Sequence, residues 1–270
     1  VQAIDYEIRH GRSDVISLYP LGDIHCGTIH CTENDLRRKI KEIRDNPFAY
    51  WIGMGDYGEF ITPSDPRWEP SGRSVCSWVE QDNIAECQTE WIVDLLYPIK
   101  DKCIGLLTGN HEEAIRKHNH VNVQHNICKR LGVPNLGWTS FVHLYFKRTR
   151  TSSKLIKGVF AHGSGNALTR GAKLNKLERF MGEFIADIYA YAHMHDILES
   201  SSPRITTNKN LKLINVKRTG VVTGSWFRTY TKGIAASYGE MKLYPPTTLG
   251  CPVFKLRPQD DVIWVEGSQS

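Results

Sequence analysis

Five apolar, strand-like runs in this 270-residue chain each give way to Asp, Asn or His. Val15-Ile16-Ser17-Leu18-Tyr19 continues through Pro20-Leu21-Gly22 to Asp23 and His25. FAYWIGMG, 48–55, leads to Asp56, and CIGLLTG, 103–109, leads to Asn110 and His111. KGVFA leads to His162, and IYAYA leads to His193 and His195. Three of the five place glycine immediately before the first polar residue, where tight turns and close backbone approach are needed. Singly, an Asp after a strand is a turn or cap residue, and a His there is a surface or satisfied core residue. Five together constrain the chain much more. In open α/β sheets, ligands gather beyond the carboxyl ends of the strands.

Within Asp23-x-His25 and His193-x-His195, positions i and i+2 of an extended segment face one side. A carboxylate oxygen and an imidazole nitrogen then converge on one point, as metal ligands do. Two Asp, one Asn and four His give oxygen and nitrogen donors without thiolate. Such a set suits Mn, Fe, Zn, Co or Ni better than Ca or Mg. Seven side chains are too many for one tetrahedral site. If one carboxylate bridges, they fill two adjacent sites with four contacts each. Two metals about 3.5–4 Å apart clamp the attacking and leaving oxygens of a phosphoryl group.

The first half of the chain alternates strand and helix signals. ENDLRRKIKEIRDN after Thr32 has apolar residues at 36, 40 and 43, which is helical spacing. A long helix is expected within 79–97 and another over 112–131, ending near Gly132 and Pro134. This alternation predicts a partly parallel α/β sheet. Beyond about residue 138 strand signals dominate, in FVHLYF, LIKGVFAHG, IYAYAHMH, VVTGSWFRTY and CPVFKL, with one helix around 172–185. These predict a second sheet packed on the first, within one domain spanning 1–270.

No run approaches eighteen apolar residues, so no transmembrane helix is expected. The N-terminus lacks a basic-then-apolar leader pattern. The seven cysteines are odd in number and form no C-x-x-C pair, which argues for free thiols in a reducing compartment. The expected setting is the cytoplasm, without a membrane partner. A net charge of +5 permits an anionic substrate. The basic residues Lys147, Arg148, Arg150, Lys154 and Lys157 read as a solvated hairpin turn.

GDIHCG, GDYGE, TGNHEE, FAHGSG and AHMHD, in that order, resemble the calcineurin-like metallophosphoesterase family. The resemblance spans residues 23–195 and implies a two-sheet β-sandwich flanked by helices, in the α/β (α+β) class. It implies that Asp23, His25 and His195 ligate one metal, that Asp56 bridges, and that Asn110, His162 and His193 ligate the second. His111 would be no ligand but a hydrogen-bonding group and general acid for the leaving oxygen. Glu59 and Glu112 are candidates for holding histidine tautomers, or for turn and helix-start roles. The last motif usually has Gly where this chain has Ala192, so a slightly altered strand exit is expected, with the ligands retained.

The implied activity is phosphoester hydrolysis dependent on two divalent transition-metal ions, with Mn the first to test and Fe, Zn, Co or Ni as alternatives. The expected reaction is attack of a metal-bridging hydroxide on a phosphodiester of a nucleotide or nucleic acid. The alternatives are a phosphomonoesterase, including protein phosphatase activity, and a non-catalytic metal-stabilised binding module. Specificity in such folds lies in loops at the strand ends. Two long stretches qualify: 57–78, with Arg67, Trp68 and Arg73, and 224–248, with Trp226, Arg228, Tyr230, Lys232 and Tyr238. Mixed aromatic and cationic side chains can stack a base and hold a phosphate. His118, His120 and His125 read as exposed helix residues, with contact to the phosphate or a third cation as the alternative.

Overall fold

The structure is a computed structural model that describes residues 1–65, 67–68 and 73–267. Its strands in chain order are β1 (Gln2–Arg9), β2 (Ile16–Leu21), β3 (Ala49–Gly53), β4 (Cys103–Leu107), β5 (Asn135–Gly137), β6 (Thr139–Lys147), β7 (Ser153–Ala161), β8 (Ile188–Tyr191), β9 (Ile197–Thr207), β10 (Leu213–Thr223), β11 (Pro252–Arg257) and β12 (Val262–Gly267). The helices are α1 (Glu33–Asp45), α2 (Ile84–Leu96), α3 (Asn110–Asn119), α4 (Val123–Leu131), α5 (Arg170–Glu183) and the single turn α6 (Tyr238–Met241).

Two mixed six-stranded sheets form, flanked by helices, as expected. One runs β12-β11-β2-β3-β4-β5 and the other β1-β6-β7-β8-β10-β9. β2 and β4 are buried along their whole length, because helices cover one face and the second sheet the other. Strands covered on both faces read as continuous apolar runs. β6 instead alternates buried and part-exposed residues, the period of a half-buried strand.

Leu18, Ile52 and Ile104 of the first sheet meet Leu144, Phe160 and Val221 of the second in the sandwich interior. On the outer face of the first sheet, α1 buries Leu36, Ile40 and Ile43 beside Ile92 and Leu95 of α2. Leu177, Phe180 and Met181 of α5 cover Val159 and Tyr189 of the second sheet. Each fully buried side chain of this size is worth about 1.5–3 kcal/mol.

Strand direction places the exits. β2, β3 and β4 pair in parallel, so Asp23, Asp56 and Asn110 leave one edge together. β7 and β8 are parallel to each other, as are β8 and β10, so His162, His193 and the segment after Thr223 also leave together.

Two expectations need correction. The helix expected over 112–131 divides into α3 and α4, because His120 takes a left-handed conformation (φ 57°). Asn122 then caps the new start by accepting the His125 N–H at 3.0 Å. CPVFKL joins the first sheet, not the second, since β11 pairs antiparallel with β2. β1 completes the second sheet beside β6. β9 was not legible as a strand: ILESSSPRITT lacks apolar alternation and carries Pro203, which only an edge strand tolerates.

Lys147, Arg148 and Arg150 are exposed at the β6–β7 hairpin, and His118, His120 and His125 are exposed. None of the seven cysteines forms a disulfide among the described residues. Among the described residues no helix is long and apolar enough to cross a membrane. Pro66 and residues 69–72 of the first long loop lie outside the described residues.

Candidate metal centre

The two sheets deliver their polar residues to one place by sharp reversals. Asp23, His25, Asp56, His193 and His195 all have φ between 48° and 69°. Each such non-glycine residue costs on the order of 1–3 kcal/mol and persists only where its surroundings hold it. Backbone bonds between the loops do so. Asp23 N–H donates to the Gly55 carbonyl at 2.9 Å and Ile24 N–H to Asp56 at 2.8 Å. Trp226 N–H donates to Asp23 O at 2.9 Å, and Thr248 N–H to His195 O at 3.1 Å. Gly55 (φ 91°) is required, because a Cβ there would lie 2.7 Å from both Gly109 Cα and His162 Nδ1.

Both aspartates use one oxygen and keep the other. Asp23 Oδ2 accepts the His193 N–H at 2.9 Å. Its buried Oδ1 accepts no hydrogen bond and lies 3.5 Å from His195 Nε2. Asp56 Oδ1 accepts the His111 N–H at 2.9 Å. Its buried Oδ2 accepts none and lies 3.3 Å from His162 Nε2. His193 Nδ1 is likewise buried without a partner.

The imidazole tautomers follow from their acceptors. His25 Nδ1 is 2.8 Å from Glu59 Oε2, and a carboxylate only accepts, so Nδ1 carries the hydrogen. Its Nε2 then turns to His195 Nε2, 3.1 Å away. His162 Nδ1 donates to the Met54 carbonyl at 2.7 Å, which leaves Nε2 3.0 Å from Asn110 Oδ1. Opposed buried acceptors are costly unless a cation lies between them. The chemistry of this donor set therefore fits divalent ions.

Ligand atoms of Asp23, His25 and His195 lie within 4.8 Å of one another, as do those of Asp56, His162 and His193. Asp56 also clusters with His25 and His111, and Asn110 adds its Oδ1 beside His162. All seven expected ligands and His111 are brought together. Ala192 is fully buried in the sandwich interior, and His193 and His195 still reach the centre. Cys26 forms a β-bridge with Gly58, and burial pushes its thiol well up; it belongs to none of the clusters.

The electrostatics point the same way. Burial, then the charge of His162, pushes His193 down to about 4, so its ring is neutral and able to ligate. Burial opposes the His162 imidazolium, but Asp56 prevails and raises it to about 10. A cation at His162 Nε2, proton or metal, serves Asp56 and Asn110 alike.

Glu59 orients two rings. Its side chain holds His25, and its backbone carbonyl accepts from His111 Nδ1 at 2.5 Å. Burial would raise the Glu59 carboxyl, but His111, His25 and Arg67 hold it down at about 2. Glu112 accepts the N–H groups of Asp56 and Gly109 through Oε2, at 2.9 and 2.8 Å, and of Tyr57 through Oε1, at 2.8 Å. It fixes the β3 and β4 exits together.

A cavity of about 470 Å³ opens over this centre, lined by His25, Asp56, Asn110, His111, His193 and His195. Arg67 lines it too. Asp65 holds its fork, Nη2 on Oδ2 at 2.8 Å and Nε on Oδ1 at 3.0 Å, which aims Nη1 at His111 Nε2, 3.0 Å away. Tyr238 of the second long stretch lines it as well, whereas the remaining expected substrate contacts fall elsewhere. Trp68 lines an adjoining cavity of about 70 Å³ with Arg67 and His30. Arg73, Arg228 and Tyr230 line neither. Tyr230 is committed to the Tyr244 carbonyl at 2.7 Å, and it is Tyr244 that reaches the cavity.

Sequence reasoning missed Phe227, Lys173 and Asp196. Phe227 lines the cavity with its ring 5.4 Å from His25 and 6.2 Å from His195; its only signal was a place between Trp226 and Arg228. Asp196 follows the H-x-H pair directly. Nothing in the sequence marks Lys173.

No protein-family model and no curated protein matches the chain. Among solved structures, it is similar to one from Streptococcus pneumoniae TIGR4, described as a conserved uncharacterized protein and predicted phosphoesterase. The identity is 11%, with 93% of this chain and 94% of that one covered, at a TM-score of 0.32. A likeness at that score bears on neither fold nor function.

Proposed function

We propose that this chain is a metal-dependent phosphoesterase of the calcineurin-like kind, hydrolysing phosphodiesters of nucleotides or nucleic acids with two divalent transition-metal ions. The observation that carries the reading is the set of buried acceptor atoms left unpaired among the clustered histidines, Asp23 Oδ1, Asp56 Oδ2 and His193 Nδ1. Asp23, His25 and His195 hold one ion; Asn110, His162 and His193 hold the other; Asp56 is shared. Manganese is the first ion to test, with Fe, Zn, Co and Ni as alternatives. When bound, such a pair supplies an acidified water nucleophile and neutralises phosphoryl charge.

The remaining roles belong to the chain. Arg67, pinned by Asp65, binds a phosphoryl oxygen. His111 donates Nδ1–H to the Glu59 carbonyl, so Nε2 is the atom that faces substrate. In the free protein burial pushes the His111 imidazolium down, and Nε2 accepts from Arg67. When Arg67 transfers its hydrogen bond to the phosphate, Nε2 is free to take up a proton from solvent and deliver it to the leaving oxygen, which restores the neutral ring.

The test is hydrolysis of bis-p-nitrophenyl phosphate and p-nitrophenyl phosphate by metal-reconstituted wild type and His111→Ala. Diester turnover that drops about 10²-fold or more in the variant supports the reading, checked again on an ester with a poorer leaving group. Preference for the monoester would favour a phosphomonoesterase. Absence of turnover of either ester with every metal would leave the binding-module reading standing.

A further inference from the structure

α5 contributes a lysine, Lys173, whose side chain is only 6% exposed. Lys173 lines the same cavity as the candidate ligands. Among the described residues its neighbour of opposite charge is Asp196, with Nζ 3.4 Å from Oδ2. That is a long contact for a charge-assisted pair, which usually closes to about 2.7–2.9 Å. Asp196 does not depend on it. Its Oδ1 accepts from Arg170 Nη1 at 2.9 Å and from Thr248 Oγ1 at 2.7 Å. One buried carboxylate thus faces two cations.

An ammonium group has three hydrogens to place, and a buried cation short of partners is costly unless a ligand supplies them. We infer that Lys173 is a specificity-determining residue that binds a second anionic group of the substrate, a phosphate or carboxylate apart from the scissile phosphoester. The preferred substrate class is therefore a phosphoester bearing a further negative charge, such as a nucleotide with a second phosphate. This rests on the phosphoester reading of the same cavity. Arg67 beside His111 serves the reacting phosphate, while Lys173 beside Asp196 serves the remote one. Asp196 follows His195 directly, so the remote contact adjoins the ligand loop.

Two readouts test it. Calorimetry compares binding of thymidine 3′,5′-bisphosphate and thymidine 5′-monophosphate to the metal-loaded protein. Wild type should favour the bisphosphate by about tenfold or more, a ratio that approaches one in Lys173→Met and is retained in Lys173→Arg. Kinetics compare thymidine 5′-(4-nitrophenyl phosphate) with its 3′-phosphorylated form, which share one leaving group. The 3′-phosphate should lower KM in wild type more than it changes kcat, and that advantage should vanish in Lys173→Met. Equal affinity of the wild type for the two nucleotides overturns the inference, and this measurement needs no variant to fold. A Lys173→Met effect equal on both ligands would also overturn it, marking a purely structural pair. If the bisphosphate binds better but neither ester is hydrolysed with any metal, the second-anion site stands and the hydrolase reading fails.

Discussion

Asp23 Oδ2 accepts the backbone N–H of His193 at 2.9 Å, so one hydrogen bond joins the exit of β2 in the first sheet to the exit of β8 in the second. The same carboxylate keeps Oδ1 unpaired toward His195. Asp56 repeats the device, with Oδ1 on the His111 N–H and Oδ2 unpaired toward His162. Each aspartate is positioned by one oxygen and leaves the other for chemistry.

Metal should therefore stabilise the fold. A ligand that binds only the native state at 100 times its Kd adds about 2.7 kcal/mol, and each kcal/mol raises Tm by about 2–4 °C at this size. Thermal unfolding with Mn²⁺ should show a rise of that order that a chelator reverses. Asp23→Ala should bind one equivalent fewer by elemental analysis and show a smaller rise. An unchanged metal content in the variant would remove Asp23 from the ligand set.

Glu59→Gln tests the control of His25. Loss of such a carboxylate partner typically weakens metal binding about 10–100-fold, measurable by competition with a chromophoric chelator. A pH effect accompanies it. The folded carboxyl is held at about 2 against an ordinary 4.5, so its stabilising contribution is complete above 4.5. It is lost as pH falls from 4.5 toward 2. Acid unfolding of the metal-free protein should be shallower in this window for Glu59→Gln than for wild type.

Glu112→Gln should lower stability with the ligands intact. Three backbone N–H groups converge on two carboxylate oxygens, and glutamine offers one acceptor oxygen in their place. An N–H left without an acceptor costs about 1–3 kcal/mol, readable as a lower urea midpoint. A variant as stable as wild type would show that Glu112 is not what joins the β3 and β4 exits.

Much of this was legible in the residues themselves. Leu36, Ile40 and Ile43 announced α1, since only helical spacing puts them on one face. The runs before Asp23, Asp56, Asn110, His162 and His193 announced buried strands, since continuous apolar residues have nowhere else to go. What the linear pattern could not carry was partnership across the fold. β9 is polar and survives by pairing with β10; β11 crosses back to β2 because an edge there was open. Trp68, Arg73, Arg228 and Tyr230 have the chemistry of substrate contacts, yet of the expected set Arg67 and Tyr238 are the ones that line the main cavity.

By itself, then, the sequence determined which side chains could ligate a metal and that strands would carry them, because residue type and periodicity are local properties. Only the tertiary structure decided that Glu59 orients both His25 and His111, that Phe227 enters the site, and that Lys173 shares its cavity with the candidate ligands. These depend on the parallel direction of strands far apart in the chain and on loops that meet at their exits, and spacing along one chain holds no record of either.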